Sequence, residues 1–296
     1  MSDPAIQFVK RKAIDAAKWD ATVATDSSRL PYGYTWWLDA VTDERWHAVI
    51  LDDYRAVLPL PYSRTFGIPR VTRAPFTQQY GPWGECSPAE LTTLILAIPR
   101  RYPQVDLPLR ELPESPKPVA GHTYRQRTNM VLDLSQGYDT AKKGFSRSHR
   151  RYLKNSGEGS LRPVSPEEVI ANYRAGAGVK ARLTSEHYQT LRTLIAAVEE
   201  RKLGKCVGYF SADGAYLASG FFPKHQNRLI NLFADSTIAG YRERGMLKLL
   251  GKLMEGHAGP DALFDFEGSD LPGVSDFFRA FGPVERSYYH VLRSWF

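Results

Sequence analysis

A proline-rich segment near the middle of the chain constrains its fold more than any other feature. Residues 112–118 read LPESPKP, which places three prolines within seven positions. Proline fixes its own φ and lacks the backbone N–H that helix interiors and central strands require, so we predict a linker here. Because the chain has 296 residues, roughly twice the most common domain size, we predict two domains, residues 1–120 and 121–296.

The hydrophobic patterns on the two sides of this linker predict two similar series of helices and strands. Before the linker we predict helices over 15–23, 34–41 and 87–101, and strands over 46–51, 54–62, 71–76 and 104–109. After the linker we predict helices over 138–156, 166–175, 185–202, 246–257 and 273–281, and strands over 129–134, 205–210, 216–222, 228–234, 262–267 and 284–292. A series of helices, an antiparallel meander of strands and further strands after it predicts an α/β protein with a mixed sheet.

The positive charge of the chain is concentrated in one short segment. The net charge is +7, yet residues 1–120 hold 14 basic and 14 acidic side chains. Residues 125–154 hold eight basic side chains against two acidic ones. The basic ones are Arg125, Arg127, Lys142, Lys143, Arg147, Arg150, Arg151 and Lys154. Such local concentration indicates an anionic partner at this segment.

Part of this charge lies on one predicted helix. Its candidate substrate-binding residues are Arg147, Arg150 and Arg151. Lys143, Arg147, Arg150 and Lys154 recur at helical spacing on one face, where like charges repel one another by a few tenths of a kcal/mol per pair. A bound phosphate offsets that repulsion, and it could belong to a nucleotide-linked precursor, tRNA or coenzyme A. The alternative is a helix face that is simply solvated.

A polar stretch over residues 235–245 is predicted to connect a strand to the helix over 246–257. Backbone N–H groups that open a helix favour anions, because they lack partners and lie at the positive end of the helix dipole. The candidate cofactor-binding residues are Tyr241, Arg242, Arg244, Gly245 and Met246. The alternative is a plain connection with solvated arginines.

These stretches resemble a known superfamily. Residues 242–247, RERGML, resemble the pyrophosphate loop of the GNAT acyltransferases, roughly Arg/Gln-x-x-Gly-x-Gly/Ala, with Leu247 where a small residue is usual. Residues 145–155 resemble the segment that opens the second half of FemAB-like proteins, which are tandem GNAT units. Residues 264–269 and 277–282 resemble the end of that group. The resemblance implies two GNAT-like domains with the acyl-CoA N-acyltransferase fold, the first of them degenerate.

The resemblance also implies an activity. FemAB-like proteins move an aminoacyl group from aminoacyl-tRNA to a peptidoglycan precursor, and GNAT enzymes use acyl-coenzyme A. It therefore implies transfer of an acyl or aminoacyl group to an amine of a small molecule or peptide, with acyl-coenzyme A or aminoacyl-tRNA as donor and tRNA as a candidate partner. The alternative is a catalytically inactive GNAT-like protein that binds a nucleotide-linked ligand or nucleic acid through the basic helix.

Three residues are candidates for proton transfer, in the order Glu267, Asp265 and Tyr289. The two carboxylates are two positions apart in a predicted strand, so both point to one face. A carboxylate in a cleft accepts the proton of an attacking amine if burial raises its pKa, and a phenol can protonate the leaving group. The alternatives are a carboxylate paired with an arginine and aromatic packing of the tyrosine.

The first half contributes a candidate substrate-binding stretch. Gln78, Gln79 and Tyr80 lie among turn residues at 74–84, and they are predicted to line a substrate cleft at the domain junction. The alternative is a packed loop between strands.

The remaining residue counts indicate the compartment and the absence of a metal. Cys86 and Cys206 lie 120 positions apart in unrelated contexts, which favours a reducing compartment. Neither has an activating neighbour, so no covalent intermediate is required. The seven histidines are scattered without metal-ligand spacing, and no apolar stretch reaches the length of a bilayer span. We expect a cytoplasmic protein with no metal and no membrane span.

Overall fold

The chain folds into two compact units in the computed structural model, which describes residues 5–112, 114–154, 159–178, 182–268 and 272–294. The first unit comprises Met1–Thr128 together with Ser287–Phe296, and the second comprises Asn129–Arg286. The proline-rich segment at 112–118 belongs to the first unit, and its Pro113 lies outside the described residues.

The first unit is built on a mixed sheet with the strand order β1-β2-β3-β4-β6-β14, and β5 pairs with β3. Most neighbours are antiparallel, whereas β4 and β6 are parallel. The elements are β1 Ile6–Lys10, α1 Ala16–Ala24, α2 Thr35–Thr42, β2 Trp46–Leu51, β3 Ala56–Thr65, β4 Ile68–Val71, β5 Trp83–Gly84, α3 Pro88–Leu96, β6 Gln104–Pro108 and β14 Val284–Ser294.

Local signals and tryptophan packing position these elements. Helix α3 begins at a capping box, in which the Ser87 side chain accepts from the Glu90 N–H and the Glu90 side chain accepts from the Ser87 N–H. Among the described residues of this unit four tryptophans are fully buried, namely Trp19, Trp37, Trp46 and Trp83. Large aromatic side chains bury the most apolar area per residue, so they account for much of the stability of this unit.

The second unit is built on a mixed sheet with the order β7-β13-β11-β10-β9-β8, and β12 pairs with β10. The pair β11 and β13 is parallel and the other pairs are antiparallel. The elements are β7 Thr123–Asp133, α4 Tyr138–Lys143, α5 Arg147–Lys154, β8 Ser160–Pro163, α6 Pro166–Ala175, α7 Ser185–Glu200, β9 Gly204–Phe210, β10 Tyr216–His225, β11 Arg228–Ile230, β12 Phe233–Ser236, α8 Ile238–Glu243, α9 Gly245–His257, β13 Leu263–Asp265 and α10 Pro272–Arg279.

The core of this unit lies between the sheet and the inner faces of α5 and α9. Leu249, Leu250 and Met254 of α9 are fully buried, and they belong to the same cluster as Phe222 and Phe264 of the sheet. Each such side chain contributes about 1.5–3 kcal/mol of hydrophobic burial. Within the described residues, no helix has both the length and the apolar character needed to cross a bilayer.

The prediction of an α/β protein with a mixed sheet is confirmed, while several boundaries differ. The helix predicted over 138–156 is two helices, α4 and α5, separated by 144–146. The break occurs because Phe145 turns into the core and the Ser146 N–H donates to the Ala280 carbonyl oxygen. The strand predicted over 228–234 is likewise two strands, because the Asn231 N–H donates to the Asp265 carbonyl oxygen between them.

The connection predicted over 235–245 is also different, since most of it is helix α8. Thr237 is its N-cap, and the Thr237 hydroxyl accepts from the Gly240 N–H. The strand predicted over 71–76 lies instead over Ile68–Val71.

Candidate functional site

A cavity of about 380 Å³ lies in the second unit where β12 meets α8 and the start of α9. Its apolar wall includes Leu247 from α9 and Val274, Phe277 and Phe278 from α10. Its polar side chains are His149, Asn231, Asp235, Ser236, Tyr241 and Arg244. A mostly apolar cavity with a few convergent polar groups is typical of a ligand-binding site.

Asp235 organises one end of this cavity. Its Oδ1 accepts from the Ser236 N–H at 2.8 Å and from the Tyr241 hydroxyl at 2.6 Å, and its Oδ2 accepts from the Ala177 N–H at 2.5 Å. A Cβ at Gly176 would lie only 2.2 Å from Oδ2, so glycine is required for this approach. Burial, reinforced by the hydrogen bond to Asp235, raises the pKa of Tyr241, so its phenol stays protonated and keeps donating.

Two glycines bring α8 and α9 close to the sheet. Strand β10 has a register shift around Leu217, and the Leu217 carbonyl oxygen accepts from the Thr237 N–H at 2.8 Å. A Cβ at Gly240 would lie 1.7 Å from that carbonyl oxygen, and one at Gly245 would lie 2.6 Å from it. Gly240 and Gly245 therefore serve close helix-to-strand packing, which sets the position of the cavity wall.

The junction between α8 and α9 projects a cation beside the cavity. Arg244 adopts left-handed backbone dihedrals, φ 58° and ψ 41°, and its guanidinium carbon lies 3.7 Å from the ring centroid of Tyr152. Arg151 contacts the same ring at 4.9 Å and donates to the Tyr152 hydroxyl at 3.2 Å. The hydrogen bond from Arg151, followed by the charges of Arg244 and Arg151, lowers the pKa of Tyr152.

These two guanidinium groups are exposed, and neither forms an ion pair with a carboxylate of the described residues. Arginine is usually paired or solvated, and it binds phosphate in a bidentate manner when an anion is present. Arg151 and Arg244 thus present two positive charges next to the cavity. We call these two arginines, together with the Tyr152 ring that both contact, the arginine pair.

Two polar atoms of the cavity have no hydrogen-bond partner within the described chain, namely Nε2 of His149 and Oδ1 of Asn231. His149 is 8% exposed and lies on the inner face of α5. Leaving a buried polar atom without a partner costs about 1–3 kcal/mol, so such atoms are rare and indicate a ligand or water. Neither residue, nor Asp235, was among the candidates that the sequence supplied.

The predicted carboxylates lie at the end of β13, and neither lines the cavity. Asp265 is fully buried and its Oδ2 pairs with Arg228 Nη2 at 2.7 Å, while its Oδ1 accepts from the Glu267 N–H at 2.8 Å. This arrangement is the structural alternative, a carboxylate paired with an arginine. Strand β13 ends at Asp265 and Glu267 has a φ of 60°, so the two side chains do not continue one strand face as the sequence predicted.

The other predicted residues of the first unit hold its loops together. Tyr289 lies on β14, and its hydroxyl shares a hydrogen bond of 2.8 Å with the Ser115 hydroxyl. Gln79 and Tyr80 are buried, and Gln79 Oε1 accepts from the Glu111 N–H at 2.9 Å. Gln78 Oε1 accepts from Gln79 Nε2 at 2.8 Å. The burial of Gln79 and Tyr80 corrects the prediction that they contact a substrate, because no surface is left for one.

The predicted basic and loop residues of the second unit separate into three groups. Arg147 and Arg242 are exposed and do not line the cavity. Arg150 donates to the Lys143 carbonyl oxygen at 2.6 Å and thereby caps α4. Met246 lines the cavity, and its N–H donates to the Ser236 hydroxyl at 3.1 Å. The loop of free N–H groups that the sequence predicted is thus largely replaced by helix hydrogen bonds.

Neither cysteine is placed as a nucleophile. Burial raises the pKa of Cys86 to about 11 and that of Cys206 to about 12, so both thiols are protonated at neutral pH. Over the described ranges, no three His, Cys, Asp or Glu side chains are grouped to hold a metal ion.

Comparison with solved structures places this architecture among known folds. The structure of FemX matches at a TM-score of 0.69 with 11% identity, covering 97% of each chain. The C-terminal domain of a putative lysylphosphatidylglycerol synthetase from Agrobacterium fabrum matches at 0.56 with 10% identity, covering 95% of this chain and 92% of that one. A tandem GNAT protein from the clavulanic acid biosynthesis pathway matches at 0.50 with 13% identity, covering 97% and 98%.

At the level of sequence, no protein-family model and no curated protein matches the chain. The similarity is therefore one of fold, extending over nearly the whole chain. This chain shares the GNAT fold of FemX and of the tandem GNAT protein.

Proposed function

We propose that this protein is an N-acyltransferase with two GNAT-like halves, residues 1–120 and 121–296, that moves an acyl or aminoacyl group to an amine of a small molecule or peptide. The donor is acyl-coenzyme A or aminoacyl-tRNA. The observation that carries the proposal is the arginine pair beside the cavity, whose two guanidinium groups form no ion pair with a carboxylate in the part of the chain that the structure describes.

The arginine pair supports a donor that carries phosphate. Both donor classes contain phosphate groups, and an arginine–phosphate hydrogen bond is worth more than a neutral one because both partners are charged. The lowered pKa of Tyr152 reports the positive potential at this point. A phosphate here also lies near the start of α9, where the helix dipole favours negative charge.

The apolar wall supports binding of the transferred group. Val274, Phe277 and Phe278 present hydrocarbon to the cavity, and burying each CH₂ of an acyl chain there contributes about 0.8 kcal/mol. The opposite, polar end is fixed by Asp235, Tyr241 and Ser236. An acyl or aminoacyl group therefore finds an apolar surface on one side and oriented polar groups on the other.

The structural neighbours support the same reaction class. They include FemX and a tandem GNAT protein, the latter solved without acetyl-coenzyme A. Acyl-coenzyme A and aminoacyl-tRNA both present an activated carbonyl that an amine can attack directly. The raised pKa values of the two cysteines support direct attack, because neither thiol is available to form a covalent intermediate.

Titration calorimetry with coenzyme A, acetyl-coenzyme A and a charged tRNA tests the proposal. The variants Arg244→Ala and Arg151→Ala should each weaken donor binding by roughly tenfold or more, as expected for loss of a charged hydrogen bond. Arg162→Ala is the matched control, because Arg162 stacks on Phe210 at 4.7 Å and does not line the cavity.

Two results would contradict this proposal. If the wild type binds none of the three compounds at high micromolar concentration, the donor assignment is wrong. If it binds tRNA with a steep salt dependence and transfers nothing to amines, the inactive nucleic-acid-binding alternative is the better description, with the exposed Arg147 and Arg151 as its contacts.

A further inference from the structure

His149 combines ring packing with a buried nitrogen that has no partner among the described residues. It lies on α5 with its imidazole edge-on to Phe281, with ring centroids 4.6 Å apart, and tilted against Phe277 at 5.3 Å. These rings fix its orientation. The His149 side chain lines the cavity, and its buried Nε2 has no hydrogen-bond partner in the described part of the chain.

The surroundings of His149 favour its neutral form. Burial lowers its pKa, the charge of Arg244 lowers it further, and a hydrogen bond with the backbone of Phe277 partly opposes both. The other charged or titratable groups that face the cavity are Asp235 and Tyr241, which are bonded to each other. Arg279 on α10 is paired with Glu285 and is exposed.

Asn231 also lines the cavity, and its buried Oδ1 has no partner among the described residues, so it is a second available acceptor. The Ser236 hydroxyl is already engaged by the Met246 N–H. A ligand that satisfies a neutral imidazole nitrogen and an amide oxygen together must donate two hydrogen bonds. A primary amine does so and still keeps its lone pair for attack on a carbonyl.

We propose that His149 is the catalytic base of this site and that Asn231 orients a primary amine toward it. This inference rests on the proposed function and names the acceptor class for the same cavity. Neither residue is among the candidates that the sequence supplied, and Asp265 and Glu267 do not line the cavity.

The transfer step balances within these groups. The amine nitrogen uses its lone pair to attack the donor carbonyl carbon, and its N–H proton passes to Nε2 of His149 in the tautomer that carries hydrogen on Nδ1. The carbonyl reforms as the bond to the leaving sulfur or ribose oxygen breaks. The imidazolium then returns the same proton to that leaving atom, which yields an amide and a neutral thiol or hydroxyl.

The test uses the full-length wild type, His149→Gln, His149→Ala and the control His257→Gln. His257 is the matched histidine, because burial lowers its pKa too while its Nε2 is engaged by the Asn227 and Leu263 carbonyl oxygens. The donor is acetyl-coenzyme A or charged tRNA, whichever binds in the titration, and the acceptors are spermidine and lysine methyl ester. Rates are expressed per neutral amine across pH 5–9.

For His149→Gln we expect an unchanged donor affinity and a transfer rate lower by roughly 10²–10⁴-fold, the usual contribution of a positioned base. The acidic limb of the wild-type rate profile should lie below pH 6.5 and be absent from the variant. Added imidazole should partly restore His149→Ala, and His257→Gln should keep the wild-type profile.

The outcomes separate the two proposals. If His149→Gln transfers at a rate within twofold of the wild type with the same pH profile, His149 is not the base and the proposed function stands. If the wild type binds no donor, or binds one and transfers to neither amine, the proposed function and the base assignment both fall.

Discussion

The left-handed backbone of Arg244 makes it possible to test the charge of the site separately from the stability of the protein. Arg244 ends α8 in the left-handed region, and its N–H donates to the Gly240 carbonyl oxygen. This is the position at which helices usually place glycine, because a Cβ there crowds the neighbouring carbonyl oxygen. Arg244→Gly and Arg244→Ala both remove the guanidinium, whereas only the alanine variant keeps the Cβ.

The expected difference in unfolding free energy between the two variants follows from three contributions. Either substitution loses the stacking on Tyr152, which is worth about 0.5–1 kcal/mol at an exposed site. Glycine alone relieves the left-handed strain of about 1–2 kcal/mol, and its greater freedom in the unfolded chain takes back about 0.5–1 kcal/mol. The stacking loss cancels between the variants, so the glycine variant should be more stable than the alanine variant by about 1 kcal/mol.

Thermal unfolding followed by circular dichroism should show this as a Tm that is higher by about 2–4 °C for Arg244→Gly than for Arg244→Ala. In the same preparations, coenzyme A titration should show an equal loss of affinity, because the two variants lack the same charge. Equal Tm values, or a higher one for alanine, would refute the argument from backbone strain. Wild-type affinity in either variant would remove Arg244 from the anion site.

Three further predictions test the packing and electrostatics of the second unit. Gly240→Ala should prevent native packing of α8, because its Cβ would lie 1.7 Å from a backbone oxygen of β10; loss of the cooperative unfolding transition is the measure. Tyr152 should titrate below the ordinary phenol pKa of about 10 in absorbance at alkaline pH, and Arg151→Ala should move that pKa upward. Arg228→Met should destabilise the protein to urea by about 3–5 kcal/mol, because it leaves the buried carboxylate of Asp265 unpaired, and adding Asp265→Leu should recover most of that loss.

Elements with strong local signals could be predicted from the sequence. The Ser87 capping box starts α3, and the same signal at Ser165 starts α6 at the predicted residue. Residues 212–214, Ala-Asp-Gly, are typical of a hairpin turn, and they join β9 to β10 with Gly214 at a φ of 86°. Each signal is complete within four or five residues, so no tertiary contact is needed to interpret it.

Tertiary contacts decide the elements that the sequence misplaced. The pattern over 138–156 satisfies a helical period throughout, and only the packing of Phe145 and the bond from Ser146 to Ala280 break it. The sequence did not predict helix α8, because it has only six residues and buries only Gly240, while Ile238 and Tyr241 are exposed. Short helices gain little from propensity and depend on packing, which one sequence does not display.

The site residues were harder to predict because their roles depend on distant partners. Asp235 acts on Ala177, 58 positions earlier, and Arg228 neutralises Asp265, 37 positions later. From sequence alone, the two aspartates are equivalent polar residues at strand ends. The partner of each aspartate determines its role: Asp235 shapes the cavity, whereas Asp265 forms a buried ion pair.

Helix α5 links the two halves of the proposed chemistry, and this coupling can be measured. Its exposed Arg151 belongs to the arginine pair, while the inward His149 carries the unpartnered nitrogen. The charge of Arg244 is one of the causes that lower the pKa of His149. A donor phosphate at Arg244 offsets that charge, so the pKa of His149 should rise when coenzyme A binds, and the base should become stronger once the donor is in place. NMR titration of the His149 ring with and without coenzyme A measures this shift, with His257 as the internal reference. A fall in the pKa, or an equal change at both rings, would mean that the phosphate and the imidazole are not coupled.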